Sequence, residues 1–181
     1  MALKQNFTQE ELFDEKTIHK RVVELGKQIS ADYKGRKPIL VGVLKGSFIF
    51  LGDLIREIDA EVGVEVDFMA VSSYGSGTES SRQPKIDKDV SVSIEGRNVI
   101  VVEDMVDTGY SFETLLAILQ SRNPASLKTC VLLSKPSRRE VEVQIDYLGF
   151  EIEDKWVEGY GMDTNEEYRE LKNIVYRKPV S

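Results

Sequence analysis

The chain has 181 residues, 41% hydrophobic and 30% charged, which gives enough apolar surface for one core and none of the composition of a disordered or fibrous chain. Its 24 Lys+Arg against 31 Asp+Glu leave a net charge of -7, a surface that repels nucleic-acid phosphates unless basic residues cluster. No apolar run approaches the ~20 residues of a membrane span, and Met1 to Phe13 lacks the basic and apolar regions of a secretory leader. With a single cysteine, Cys130, no intrachain disulfide can form. The expectation is therefore one domain over residues 1–181 in a reducing cytoplasm, meeting neither nucleic acid nor membrane.

In chain order, Ile18, Val22, Leu25 and Ile29 recur every three to four residues and predict a helix from Asp14 to Asp32. Ile39 to Leu44 is a short, nearly all-apolar run that predicts a strand, ended by the turn Lys45-Gly46-Ser47, after which Phe48 to Ile58 resumes helical spacing. Val62 to Ser72 alternates like a strand, with Val90 to Ile94 as its expected hairpin partner. Between them Ser72 to Arg82 holds five Ser and two Gly in eleven residues, the composition of a mobile loop. Val99 to Val102 has the unbroken hydrophobicity of a strand covered on both faces. Phe112, Leu115, Leu116 and Leu119 then predict a helix, and Thr129 to Ser134 a further strand. This βαβ order predicts an α/β fold with a mostly parallel sheet whose ligand site lies beyond the carboxyl ends of the strands. Lys45-Gly46, Glu103 to Ser111 and the stretch after Lys135 converge there.

The segment Glu103-Asp104-Met105-Val106-Asp107-Thr108-Gly109-Tyr110-Ser111 sets three carboxylates and a small-residue turn between a buried strand and a helix. Backbone N–H groups from Thr108 to Ser111 suit a phosphate, with Gly109 allowing close approach. Glu103 and Asp104 suit sugar hydroxyls or a hydrated Mg²⁺. Taken singly, Asp107, Thr108 and Ser111 would merely cap a helix, but two further acids beside that cap argue for chemistry. Asp107-Thr108-Gly109 is also the tripeptide of aspartic proteases, yet those need two copies or a symmetric dimer in an all-β fold, and here one copy precedes a helix.

The run Val101 to Ser111 resembles the phosphoribosyl pyrophosphate motif of type I phosphoribosyltransferases. Leu44 to Ser47, Ser72 to Gly75, Lys135, and Gly149 through Trp156-Val157 to Asp163 and Arg169 are similar, in order and spacing, to the hypoxanthine-guanine branch of that family. Two positions depart from it: Tyr110 stands where a smaller or basic residue is usual, and Trp156 where Phe is common. The resemblance implies the type I fold, a mostly parallel central sheet flanked by helices with a small hood and a flexible loop. It also implies Mg²⁺-dependent transfer of phosphoribosyl from phosphoribosyl pyrophosphate to hypoxanthine or guanine, giving IMP or GMP, by a homodimer or homotetramer. By the same resemblance Asp107 handles the purine N7 proton, Glu103 and Asp104 hold the ribose hydroxyls and metal, and Thr108, Gly109, Tyr110 and Ser111 bind the 5′-phosphate. Lys45 and Gly46, across a cis peptide after Leu44, contact pyrophosphate with Arg169, while Ser73 and Tyr74 lie at the tip of the closing loop. Lys135 donates to the 6-oxo group, Trp156 stacks on the base, the Val157 carbonyl accepts from its edge, and Asp163 helps hold Mg²⁺.

Each residue also has a plainer reading. Lys45 and Lys135 fit solvated lysines at strand ends, Trp156 fits core packing, and Arg169 fits an ion pair in a helix-like run, Glu166 to Glu170. The basic clusters Lys34 to Lys37 and Lys135 to Arg139 read as solvated faces. An RNA-binding regulatory member of the same superfamily is the alternative that the acidic charge and purine-type elements disfavour.

Overall fold

The computed structural model describes residues 7–72 and 85–179. The predicted loop from Ser72 to Arg82, with Ser73 and Tyr74, lies outside the described residues apart from Ser72 itself. The elements are β1 (Phe7–Phe13), α1 (Glu15–Asp32), β2 (Ile39–Leu44), α2 (Phe48–Arg56), β3 (Glu65–Ser72), β4 (Lys85–Lys88), β5 (Asn98–Val106), α3 (Tyr110–Gln120), β6 (Ser126–Ser134), β7 (Tyr147–Glu151), β8 (Val157–Glu158) and β9 (Ile174–Pro179).

Helix α1 begins where the sequence places it, because the Asp14 carboxylate accepts a hydrogen bond from the Thr17 N–H at 2.8 Å, the cap such residues favour. Its apolar stripe Ile18, Val22, Leu25 and Ile29 is buried. A six-stranded sheet runs in the order β4-β3-β2-β5-β6-β7, parallel throughout except for the antiparallel β3–β4 pair. Side chains alternate across its central strands. Leu40, Ile100, Val102 and Cys130 pack beneath α1 and α2, and Ile39, Val41, Val99 and Val101 pack beneath α3. Burial on both faces is why these strands read as continuous apolar runs.

Three expectations are corrected. Val90 to Ile94 is not the partner of β3; β4 is. The Asp67 carboxylate accepts hydrogen bonds from the Ser91 and Val92 N–H groups, so this run folds as an irregular plug with Ile94 buried. The second correction is that β5 continues to Val106 rather than stopping at Val102, pairing Glu103 with Val131 and Val106 with Ser134. Glu103 and Asp104 are thus strand residues, held on sheet rather than loop backbone. Third, the Glu166 to Glu170 run is a set of turns in which Glu166 and Tyr168 have positive φ, not a helix.

A second sheet, β1-β9-β8, forms the hood. Its strands come from opposite ends of the chain, and β1 (FTQEELF) is mostly polar, so pairing with β9 rather than apolar periodicity makes it a strand. Among the described residues no helix is long and apolar enough to cross a membrane.

Candidate active site

The carboxyl ends of β2, β5 and β6, neighbours in the sheet, carry the three predicted loops. After β2 the Leu44–Lys45 peptide is cis, and the Gly46 backbone lies against Asp104. A β-carbon at position 46 would sit 1.9 Å from Asp104 Oδ2, so any larger residue would have to displace that carboxylate or the loop. Asp104 N–H donates to the Glu103 carboxylate at 3.2 Å. Burial, followed by the neighbouring Asp104 carboxylate, pushes Glu103 well above the ordinary carboxylate range. Two adjacent carboxylates at the end of β5 form a hard-oxygen pair suited to a divalent cation.

Asp163 is not part of that pair. Its carboxylate binds Arg169 at 2.8 Å and accepts from the Glu166 N–H at 2.9 Å. Among the described residues no group of three His, Cys, Asp or Glu stands close enough to hold a metal. A cation at Glu103 and Asp104 would therefore draw further ligands from substrate oxygens and water, the usual habit of Mg²⁺.

At the start of α3, Gly109 occupies the N-cap with φ 99°, and no side chain caps the helix. The plain helix-capping reading of Asp107, Thr108 and Ser111 fails at this point. Positive φ at Gly109 is easy only without a β-carbon, and it turns the Thr108 to Ser111 backbone onto the helix N-terminus. The Thr108 carbonyl accepts from the Glu140 and Val141 N–H groups at 2.9 and 3.1 Å, which braces the turn. Tyr110 and Ser111 are exposed.

Beyond β6, Lys135 is only 5% exposed, so the solvated reading of it fails. A buried ammonium needs partners: its Nζ lies 3.8 Å from Asp107 and 3.6 Å from Asp154. Arg138 Nε bonds Asp107 at 3.3 Å and reaches Asp154 at 3.8 Å. Arg139 donates to the Ser134 hydroxyl and the Val106 carbonyl at 2.8 and 3.3 Å. The cluster Lys135 to Arg139 is thus a wall of the site.

Facing these loops is the segment after β8. Lys45 Nζ meets Glu166 at 2.9 Å, and Arg169 binds Glu166 at 3.0 Å and the Gly161 carbonyl at 2.8 Å. Trp156 is 62% exposed, so it is not core packing, and its indole N–H donates to Thr164. The Trp156 carbonyl accepts from Arg177 in β9. Because carbonyls alternate along an extended strand, the Val157 carbonyl faces the open edge of the hood sheet. Arg138, Asp154, Thr164 and Glu166 also belong to this constellation. Their charge and polarity were visible in the sequence, but nothing there distinguished them from ordinary surface residues.

Residues 8–165 match the phosphoribosyl transferase domain family. The chain is 47% identical over 169 residues to the hypoxanthine phosphoribosyltransferase of Escherichia coli K12, covering 92% of this chain and 94% of that one. It is 43% identical over 174 residues to the bifunctional protein TilS/HprT of Listeria monocytogenes, covering 96% of this chain but 26% of that longer protein. The solved structure of a Staphylococcus aureus hypoxanthine phosphoribosyltransferase superposes with a TM-score of 0.89 at 42% identity, covering 96% of this chain and 93% of that one. With these relatives the fold and its site fall among the pentosyltransferases of type I fold, and the chain belongs to the phosphoribosyl transferase family. Within it, the chain groups with the hypoxanthine phosphoribosyltransferases.

Proposed function

We propose that the enzyme salvages purines, transferring the 5-phosphoribosyl group of phosphoribosyl pyrophosphate to N9 of hypoxanthine or guanine and giving IMP or GMP. The observation that carries this reading is the buried ammonium of Lys135 beside Asp107, at the ends of adjacent strands. It is a fixed donor for an exocyclic oxygen next to a carboxylate able to take a ring proton. The names of the relatives support the same acceptor.

In this reading the C1′–O bond to pyrophosphate breaks, C1′–N9 forms, and the proton lost from the imidazole ring of the base passes to Asp107. The uncapped turn from Thr108 to Ser111 holds the 5′-phosphate. Lys45, Gly46 and Arg169 hold pyrophosphate as it leaves. Trp156 stacks on the base, Lys135 donates to its 6-oxo group, and the Val157 carbonyl accepts from its edge. Glu103 and Asp104 would bind the ribose hydroxyls together with Mg²⁺, and Asp163 would help hold that metal. Bound Mg²⁺ supplies neutralisation of charge on the leaving group. The anomeric carbon gains oxocarbenium character, so catalysis rests on preorganised charge around it and exclusion of water.

Steady-state kinetics of the purified chain with phosphoribosyl pyrophosphate and hypoxanthine, guanine, xanthine or adenine test this, with and without EDTA. Turnover of hypoxanthine and guanine, lost with EDTA and restored by Mg²⁺ or Mn²⁺, is expected. Absence of nucleotide product from either 6-oxopurine overturns the reading, and full activity without a divalent ion overturns its metal.

A further inference from the structure

The indole of Trp156 is the most exposed large apolar group among the described residues, yet its ring nitrogen is hydrogen-bonded. Its Nε1–H donates to Thr164 Oγ1 at 2.6 Å. Thr164 is 7% exposed and sits in a tight turn, its N–H donating to the Glu167 carbonyl at 3.2 Å while the Glu167 N–H donates back at 3.1 Å. The adjoining Asp163 is pinned by Arg169 and the Glu166 N–H. The ring thus has its polar atom satisfied from one side and its face left open. A phenylalanine at 156 has no N–H and would leave the Thr164 hydroxyl without this bond. An untethered aromatic side chain loses rotamer freedom each time it stacks, whereas one already held loses little.

We infer that Thr164 is a positioning residue for the purine base: its hydroxyl fixes the plane of the Trp156 indole and ties it to the turn that bears Asp163 and Arg169. This rests on the proposed stacking of the base on Trp156. The substrate group concerned is the planar heteroaromatic ring rather than the phosphoribosyl group.

Trp156 is the only tryptophan of the chain, so fluorescence excited at the red edge, beyond tyrosine absorption, reports on this ring alone. Thr164→Val should lower the emission anisotropy of the free enzyme. It should raise KM for the base about 3- to 10-fold, the scale of one net hydrogen bond, while KM for phosphoribosyl pyrophosphate moves less than twofold. Thr164→Ser, which keeps the hydroxyl, should restore both readouts. Adding Thr164→Val to Trp156→Phe should cost nothing more, because the bond is already absent. The inference is overturned if Thr164→Val leaves anisotropy and base KM unchanged while Trp156→Ala raises base KM. It is equally overturned if Thr164→Val raises both substrates' KM together with a lowered Tm that Ser does not restore. Should Trp156→Ala itself leave base KM unchanged, the stacking assignment falls and the role of Thr164 with it.

Discussion

Gly46 and Asp104 approach each other so closely that the loop after β2 and the acidic end of β5 form one surface: a β-carbon on Gly46 would stand 1.9 Å from Asp104 Oδ2 and 2.4 Å from its carboxyl carbon. Gly46→Ala must displace either the loop or the carboxylate. We expect kcat/KM for phosphoribosyl pyrophosphate to fall by ~10²-fold or more, the scale on which small misplacements of substrate cost rate. The core lies elsewhere, so Tm should change little. Kinetics and thermal unfolding of the variant check both.

Glu166 holds with one carboxylate two of the groups assigned to pyrophosphate, Lys45 at 2.9 Å and Arg169 at 3.0 Å. Hydrogen bonds from Lys45 and then Arg169 hold its carboxyl below the ordinary range, so it is anionic at neutral pH and competes with the incoming phosphate oxygens. Glu166→Gln should lower Kd for pyrophosphate about 2- to 5-fold, as suits exposed ion pairs. Isothermal titration with pyrophosphate measures this, and weaker binding by the variant would count against the competition.

Asp107 sits between Lys135 and Arg138, flanked by two cations and next to the phosphate turn. Asp107→Asn keeps the shape but removes the acceptor of a proton. We expect kcat to fall by ~10²-fold or more, the usual scale for a general base, with Kd for phosphoribosyl pyrophosphate nearly retained. Near wild-type turnover would exclude the role.

Lys135 offers three donors and no acceptor. It suits the 6-oxo oxygen of hypoxanthine or guanine and would meet the amino hydrogens of adenine donor to donor. An unpaired buried donor costs roughly 1–3 kcal/mol, more when charged, so discrimination of at least ~10² against adenine is expected. Lys135→Gln, whose amide both donates and accepts, should lose kcat/KM on the 6-oxopurines and narrow the gap to adenine. An unchanged ratio among the three bases would remove Lys135 from base selection.

How much of this was legible in the sequence depended on the range of the interaction. Helix α1, strand β2, and the strand, turn and helix from Val99 to Leu119 were readable because periodicity and turn chemistry act within a few residues. The chain also carried its three loops in an order that a right-handed parallel topology must bring together. Strand β1 was not readable, since its polar residues become a strand only by pairing with β9 across the length of the chain, and β8 has just two residues. The continuation of β5 through Glu103 and Asp104 was decided by the register of β6 beside it. Whether Lys135 lies in solvent or is buried against Asp107 and Asp154, and whether Trp156 fills the core or stands open and tethered to Thr164, was decided only by tertiary structure. The same side chain satisfies local propensity in either place, and burial, charge pairing and close approach are set by residues distant in sequence.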